Sequence, residues 1–332
     1  MSKRRKNSNF LILILVLLLL LLIGYIYLKN PTVIDKFPIV TGKQPEPTVT
    51  ATAETTPAVT PIVSEIPSSP GSNGTIKLAA FNLQIFGTAK AGKPEVMSVL
   101  SKIIRNYDVI AVQEIRDSSQ TALPLLRDAV NSMGSPQYEY VVSERLGRTV
   151  SKEQYAYIYN TQIIQQIGSP YVYPDTNDLF QREPYVVEFK TKNGSFDFVL
   201  ITIHTDPDTA NQEISDLPKV VDDAKSRFQA EGDFIIMGDL NADCTYFKEN
   251  SQSPLRSADY YWVINNSFDT TTKSTDCTYD RIIITTPAKT DFTGEAGVFR
   301  FDEAYNLNYD STIAVSDHYP VYSTFWNNRD TD

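Results

Sequence analysis

Two cysteines and two histidines in 332 residues leave little room for several classes of chemistry. A thiolate zinc site needs more sulfur than Cys244 and Cys277 supply, and neither His204 nor His318 lies at metal-ligand spacing. There is no Walker A loop, no Gly-x-Gly-x-x-Gly and no Gly-x-Ser-x-Gly elbow. That argues against a P-loop nucleotide site and a dinucleotide fold, and it leaves no serine in a recognisable nucleophile turn. No repeat recurs at a fixed period, so a solenoid is not indicated. Positive charge is also short, with 30 Lys and Arg against 40 Asp and Glu, for a net charge of −10. Residues 1–74 hold seven of the basic and four of the acidic residues, which leaves −13 on residues 75–332. Such a surface binds nucleic acid poorly by charge alone. To act on a polyanion it needs local arginines and metal ions; the other reading of the acidity is solubility outside the cell.

Charge is absent altogether from residues 10–28, an almost unbroken run of Leu, Ile and Val. Nineteen residues at 1.5 Å rise span roughly the hydrocarbon core of a bilayer. Lys3, Arg4, Arg5 and Lys6 precede the run, which puts residues 1–9 in the cytoplasm and the bulk of the chain outside. The segment reads as an uncleaved signal anchor, a transmembrane helix. A cleaved signal peptide is the competing reading, but its apolar region would be long and no small-x-small site follows Leu28. Residues 29–74 are rich in Thr, Pro and Ser and read as a disordered linker. Residues 75–332 suffice for one large domain with its own core. Outside the cell, Cys244 and Cys277 are most simply a disulfide, closing a loop of about 33 residues for about 3–4 kcal/mol.

Within the domain, apolar runs at 76–85, 108–112, 138–142, 154–159, 185–189, 196–203, 234–237, 281–285 and 319–325 read as strands. Residues 93–107, 121–133 and 210–230 carry helical periodicity, with Pro94 suited to a first turn. Strands alternate with helices early and outnumber them later. The expected fold is α/β, a four-layer sandwich of two packed mixed sheets flanked by helices.

Polar residues recur where apolar runs stop: Asn82, Glu114, His204, Asp239, Asn241, Asp280 and His318. In Phe234-Ile235-Ile236-Met237-Gly238-Asp239-Leu240-Asn241, a carboxylate and a carboxamide two apart would face one spot on an extended chain. Taken alone this is as well read as a strand entering a polar turn. A lone histidine at a strand end is usually structural, but both histidines of this chain stand in such settings. Two imidazoles can work as acid and base near neutral pH, each steadied by a carboxylate such as Glu153, Asp280 or Asp317. Glu114, with Asn82 and Asp239, offers oxygens to a hard divalent cation.

The motifs taken together resemble the endonuclease/exonuclease/phosphatase superfamily, closely its deoxyribonuclease I branch. They are Ala79-Ala80-Phe81-Asn82-Leu83-Gln84-Ile85-Phe86-Gly87, Val112-Gln113-Glu114-Ile115-Arg116-Asp117, Lys152-Glu153-Gln154-Tyr155, Arg182-Glu183-Pro184, Met237-Gly238-Asp239-Leu240-Asn241-Ala242-Asp243-Cys244, Cys277-Thr278-Tyr279-Asp280-Arg281 and Ser316-Asp317-His318-Tyr319-Pro320. The resemblance implies a DNA endonuclease that uses Mg²⁺ or Mn²⁺ and leaves 5′ phosphates. His204 would be the general acid, oriented by Glu153; His318 would be the base, oriented by Asp280. Glu114, Asp239 and Asp317 would hold the metal, with Asn82 and Asn241 supporting it or the scissile phosphate. Arg116, Arg148, Arg182 and Tyr279 would contact double-stranded DNA, and Cys244 and Cys277 would form the family's large-loop disulfide. A structural Ca²⁺ would lie at Asp175, Asp178, Phe180 and Glu183. No obligate protein partner is evident in the chain, so a monomer is expected, with its catalytic domain outside the membrane.

Two departures stand out. The family's groove tyrosine is Ser151, and the second calcium loop, residues 269–275, carries Lys273 where the family has a small hydroxyl. An ammonium there would oppose a bound Ca²⁺ and weaken that site. A sphingomyelinase or inositol phosphatase of the same superfamily is the first alternative, and a non-catalytic surface binding module the second.

Overall fold

Runs of consecutive apolar residues, rather than alternating ones, form the centre of each sheet, because both faces of those strands are covered. The computed structural model describes residues 62–63, 74–248 and 251–330, all within one compact unit spanning residues 57–332. The expected cytoplasmic segment (residues 1–9), the expected membrane span (residues 10–28) and nearly all of the expected linker lie outside the described residues. Among the described residues no helix is long and apolar enough to cross a membrane.

The strands are β1 (Ile62–Val63), β2 (Thr75–Phe86), β3 (Val109–Ile115), β4 (Tyr138–Val142), β5 (Gln154–Asn160), β6 (Ile164–Val172), β7 (Tyr185–Thr191), β8 (Asp197–His204), β9 (Phe234–Asp239), β10 (Tyr260–Trp262), β11 (Asp280–Thr285), β12 (Phe292–Val298) and β13 (Val321–Trp326). The helices are α1 (Thr88–Ala91), α2 (Pro94–Ile104), α3 (Ala122–Ser132), α4 (Ala210–Arg227), α5 (Phe301–Ala304) and α6 (Tyr309–Val315). One sheet has seven strands in the order β1-β12-β13-β2-β3-β5-β4, the other six in the order β10-β11-β9-β8-β7-β6. Both mix parallel and antiparallel neighbours. The expected two-sheet sandwich is therefore the observed one. Strands β6, β10 and β12 have no counterpart in the sequence reading. Strand β1 falls inside the stretch read as linker and pairs in parallel with β12.

Side-chain alternation divides the interior. On β9, Ile235 and Met237 point into the main core between the sheets, while Phe234 and Ile236 point to the outer face. On β8, Leu200 takes the inner face and Val199, Ile201 and Ile203 the outer one. Helix α4 covers that outer face with Ile214, Leu217, Val220 and Val221. Val96, Leu100, Ile103 and Ile104 of α2 and Leu123, Leu126 and Val130 of α3 join the main core. Cys244 and Cys277 form a disulfide 33 residues apart in sequence, as the sequence indicates.

The ladder around β9 sets the position of everything that follows. Its parallel register with β8 pairs Ile203 with Gly238 and His204 with Asp239. Its antiparallel register with β11 pairs Asp239 with Asp280. Gly238 lets the strands close at that point: its φ is +139°, and a Cβ there would stand 2.1 Å from the Ile203 carbonyl oxygen. We expect Gly238→Ala to cost on the order of 2–3 kcal/mol, read as a fall in Tm. An unchanged Tm would contradict this packing.

Candidate active site

Three strand ends and two connecting segments meet at one rim. Strand β8 ends on His204, β9 ends on Asp239, and β11 begins with Asp280. Glu153 lies one residue before β5, and Asp317 and His318 lie between α6 and β13. Asn82 is within β2 and Glu114 within β3, where both strands leave regular pairing. The β2–β3 register slips between Asn82 and Phe86, and β3–β5 slips between Val112 and Ile115. Gln84, Ile85 and Glu114 have φ of 46°, 53° and 59°, a left-handed conformation that non-glycine residues adopt at a cost. Such bulges re-aim side chains beside active sites, and this one turns Glu114 from the ladder toward Asn82.

Each imidazole is fixed by a buried carboxylate. His204 Nδ1 is 2.9 Å from Glu153 Oε1, and His318 Nδ1 is 2.8 Å from Asp280 Oδ2. Each Nδ1–H is thereby spoken for, and Nε2 is the ring nitrogen left to meet other groups. Both Nε2 atoms face the same acceptor, Asp239 Oδ2, at 3.5 Å each. Burial opposes the charge on His318, yet Asp280, Asp239 and Asp317 outweigh it and raise the imidazole to about 10. His204 is raised as well, since Glu153 and Asp239 overcome burial and the nearby Arg182. Asp239 is held below the usual carboxylate range: burial would lift it, but His318, His204 and the Asn82 amide prevail. Glu153 is lowered in the same way, against burial, by His204, Arg182 and Arg116.

Asn82 ties the acids together. Its Nδ2 donates to Glu114 Oε1 at 3.2 Å and to Asp239 Oδ2 at 2.9 Å, while its Oδ1 accepts from Gln84 N at 2.8 Å. Ile85 N donates to Glu114 Oε2 at 2.9 Å. Two carboxylates anchored on one amide nitrogen, with Asp317 Oδ1 3.8 Å from His318 Nε2, make an oxygen-only donor set that suits Mg²⁺ or Mn²⁺. Asp239, Asp280 and His318 also offer ligand atoms within 4.8 Å of one another. Since Asp280 is already paired with Nδ1, its place is behind the imidazole rather than on a cation. Asn241 donates its backbone N–H to Asp239 Oδ1 and one side-chain N–H to Thr205 O.

The arginines divide. Arg116 Nη2 lies 3.2 Å from Glu114 Oε2 and 3.4 Å from Glu153 Oε2, half-buried beside the site. Its Nη1 donates to Ser151 Oγ. Arg148 is exposed and pairs with Asp178. Arg182 is buried, with Nε on His204 O and Glu153 Oε1 and Nη2 on Thr205 O, so it braces the His204–Glu153 pair from behind. Tyr279 is half-buried, its ring 6.3 Å from that of His318.

The pattern of the endonuclease/exonuclease/phosphatase family matches residues 79–318. The chain is 37% identical over 260 residues to deoxyribonuclease gamma of Rattus norvegicus, covering 74% of this chain and 83% of that protein. It is 36% identical over 261 residues to deoxyribonuclease-1 of Bos taurus, covering 75% of this chain and 92% of that protein. The chain belongs to the endonuclease/exonuclease/phosphatase family, in its deoxyribonuclease I-like branch. Among solved structures, D. rerio TDP2 complexed with single strand DNA product shares the fold at 16% identity and a TM-score of 0.54, covering 76% of this chain and 99% of that one.

The residues of the two loops expected to hold calcium are engaged differently. Asp175 Oδ2 accepts from Phe180 N at 2.8 Å, and Asp175 and Glu183 line a cavity of about 330 Å³; Asp178 is engaged by Arg148. In the second loop, Asp269 is bonded within its own turn to Thr271, and Lys273 extends away from it to Asp317. Sequence reading missed two residues that brace the site. Tyr155 Oη accepts from His204 N at 3.0 Å, and Lys90 Nζ donates to the carbonyls of Leu83, Gln84 and Val315. Nothing in the chain flags Lys90, because its partners are backbone carbonyls, one of them 225 residues away.

The charges of the site give a pH profile for stability. The histidines' contribution is fully present below about pH 6.5 and is lost as pH rises through their folded values, about 10 for His318. The contributions of Glu153 and Asp239 are present above about pH 4 and lost as pH falls below it. Metal-free protein should therefore have its highest Tm between about pH 5 and 6.5. His318→Asn should flatten the alkaline limb; an unaltered alkaline limb in that variant would contradict the assignment.

Proposed function

We propose that this protein is an endonuclease that hydrolyses DNA phosphodiester bonds by general acid and base catalysis from His204 and His318, leaving 5′ phosphates. The observation that carries the reading is the paired geometry: two imidazoles, each held at Nδ1 by a buried carboxylate, direct Nε2 at one point. A phosphodiester lodged there has an imidazole on either side. His204, whose hold on its proton is strengthened by Glu153 and Asp239 against burial, donates its Nε2 proton to the leaving 3′ oxygen. His318 takes a proton from water as the water oxygen bonds to phosphorus and the P–O3′ bond breaks. Asp239 and Asp317 are among the groups that raise His318, so neutralising them frees its Nε2 to accept that proton. Mg²⁺ or Mn²⁺ held by Glu114 and Asp239, with Asp317 beside them, would supply positive charge to the phosphate oxygens. The remaining N–H of Asn241 is available to the developing negative charge.

Arg116 and Arg148 offer the local positive charge that an acidic domain needs in order to hold a polyanion. Arg148 would exchange Asp178 for a phosphate. Ca²⁺ at the Asp175 loop would stiffen the segment that carries Asp178 and Arg182. The likeness to deoxyribonucleases supports DNA as the substrate, and double-stranded DNA is the form this reading takes. Residues 10–28 would anchor the chain in a membrane, with the catalytic domain outside the cell and acting as a monomer.

Plasmid nicking with Mg²⁺, followed on a gel, tests the reading. His204→Ala and His318→Ala should each slow nicking by about 10²–10⁴-fold with the fold retained. Undiminished nicking by either variant, or sphingomyelin hydrolysis by a wild type that does not nick, would overturn it.

A further inference from the structure

Two halves of the site balance their charge differently. Glu114 and Glu153 face guanidinium groups, Arg116 on both and Arg182 on Glu153. Asp317, on the His318 half, meets Lys273 instead: Nζ lies 2.8 Å from Asp317 Oδ2, while Asp317 Oδ1 lies 3.8 Å from His318 Nε2. One carboxylate thus stands between an ammonium and a catalytic imidazole.

The backbone aims that lysine. Thr271 and His318 form an antiparallel bridge, and Thr272 donates its N–H to Asp317 O at 3.0 Å and its hydroxyl to Ser316 O at 3.0 Å. Tyr319 N donates to Thr270 O at 2.8 Å. Residues 270–272 are therefore laced to 316–319, and the next residue, Lys273, needs only its side chain to reach Asp317. Its own loop does not claim it, since Asp269 accepts from Thr271 N and Oγ1 and has Arg300 Nη1 at 3.8 Å.

We propose that Lys273 is a tethered counter-ion of Asp317, whose ammonium holds the place of a second divalent cation, so that the cleavage centre takes one divalent cation, on the Glu114 side. The inference rests on reading this centre as that of a cation-assisted nuclease. A lysine head is a compact point charge with three donors, so it can stand where an ion would neutralise a carboxylate. A hard cation would have to displace it from Asp317 Oδ2 against its own tether. The 269–275 loop has in this chain lent its lysine to the carboxylate beside His318.

The test counts ions rather than turnovers. Mn²⁺ bound per full-length protein, without DNA, is measured by the electron paramagnetic resonance signal of free Mn²⁺ for wild type, Lys273→Ser and Lys273→Arg. Lys273→Ser should bind one more Mn²⁺ than wild type, and Lys273→Arg the same number as wild type. Adding Asp317→Asn to Lys273→Ser should remove the extra ion. Sites elsewhere are common to all variants and cancel in the difference. An unchanged count in Lys273→Ser would overturn the proposal. So would an extra ion that survives Asp317→Asn, because Asp317 would then not be its ligand. No substrate enters the measurement, so its failure is distinct from a failure of the nuclease reading, which shows as wild type that does not nick plasmid.

Discussion

The site depends on one carboxylate. Asp239 Oδ2 receives the Asn82 amide at 2.9 Å and faces both imidazole Nε2 atoms at 3.5 Å. It has that reach because β9 lies between β8 and β11, in registers that set Asp239 level with His204 on one side and Asp280 on the other. Asn82 then joins this sheet to the seven-stranded one, and through it Asp239 to Glu114. The sandwich brings the carboxyl ends of β2, β8 and β9 to a common rim, the arrangement in which residues distant in sequence can share a reacting group.

Concentrated charge is the cost of that design. Glu114, Glu153, Asp239, Asp280 and Asp317 crowd around two imidazoles, in a domain already strongly acidic. The protein answers with Arg116 and Arg182 on one half, Lys273 on the other, and raised histidines between. A buried acid without such partners would protonate instead. The donor set is also why a hard cation fits here, and why the same residues that could hold it tune the imidazoles.

Much of this was legible in the chain. Strands β2, β3, β8 and β9 are dense apolar runs, and each carries or closes on a polar residue that reaches the site. Scarcity made the histidines informative, since both of the chain's two stand at strand edges and both reach the rim. Strand β6 was not legible, because Gln165, Gln166, Gly168 and Pro170 suit an exposed edge and mask its pairing. Glycine in β12 and the shortness of β10 hid those strands similarly. The part played by Arg182 needed tertiary contacts: a motif match points it at DNA, while its burial against Glu153 and two carbonyls makes it a brace. Sequence alone sets Lys273 against calcium in its own loop, whereas the fold pairs it with Asp317, 44 residues away, through the Thr271–His318 bridge.

The central claim is that Asp239 couples both imidazoles. Because the chain has only two histidines, ¹⁵N-resolved NMR titration of the metal-free protein reads each ring without overlap. Asp239→Asn should lower the titration midpoints of His204 and His318 together while their Nδ1 partners stay in place. A shift in one ring alone, or in neither, would contradict the account.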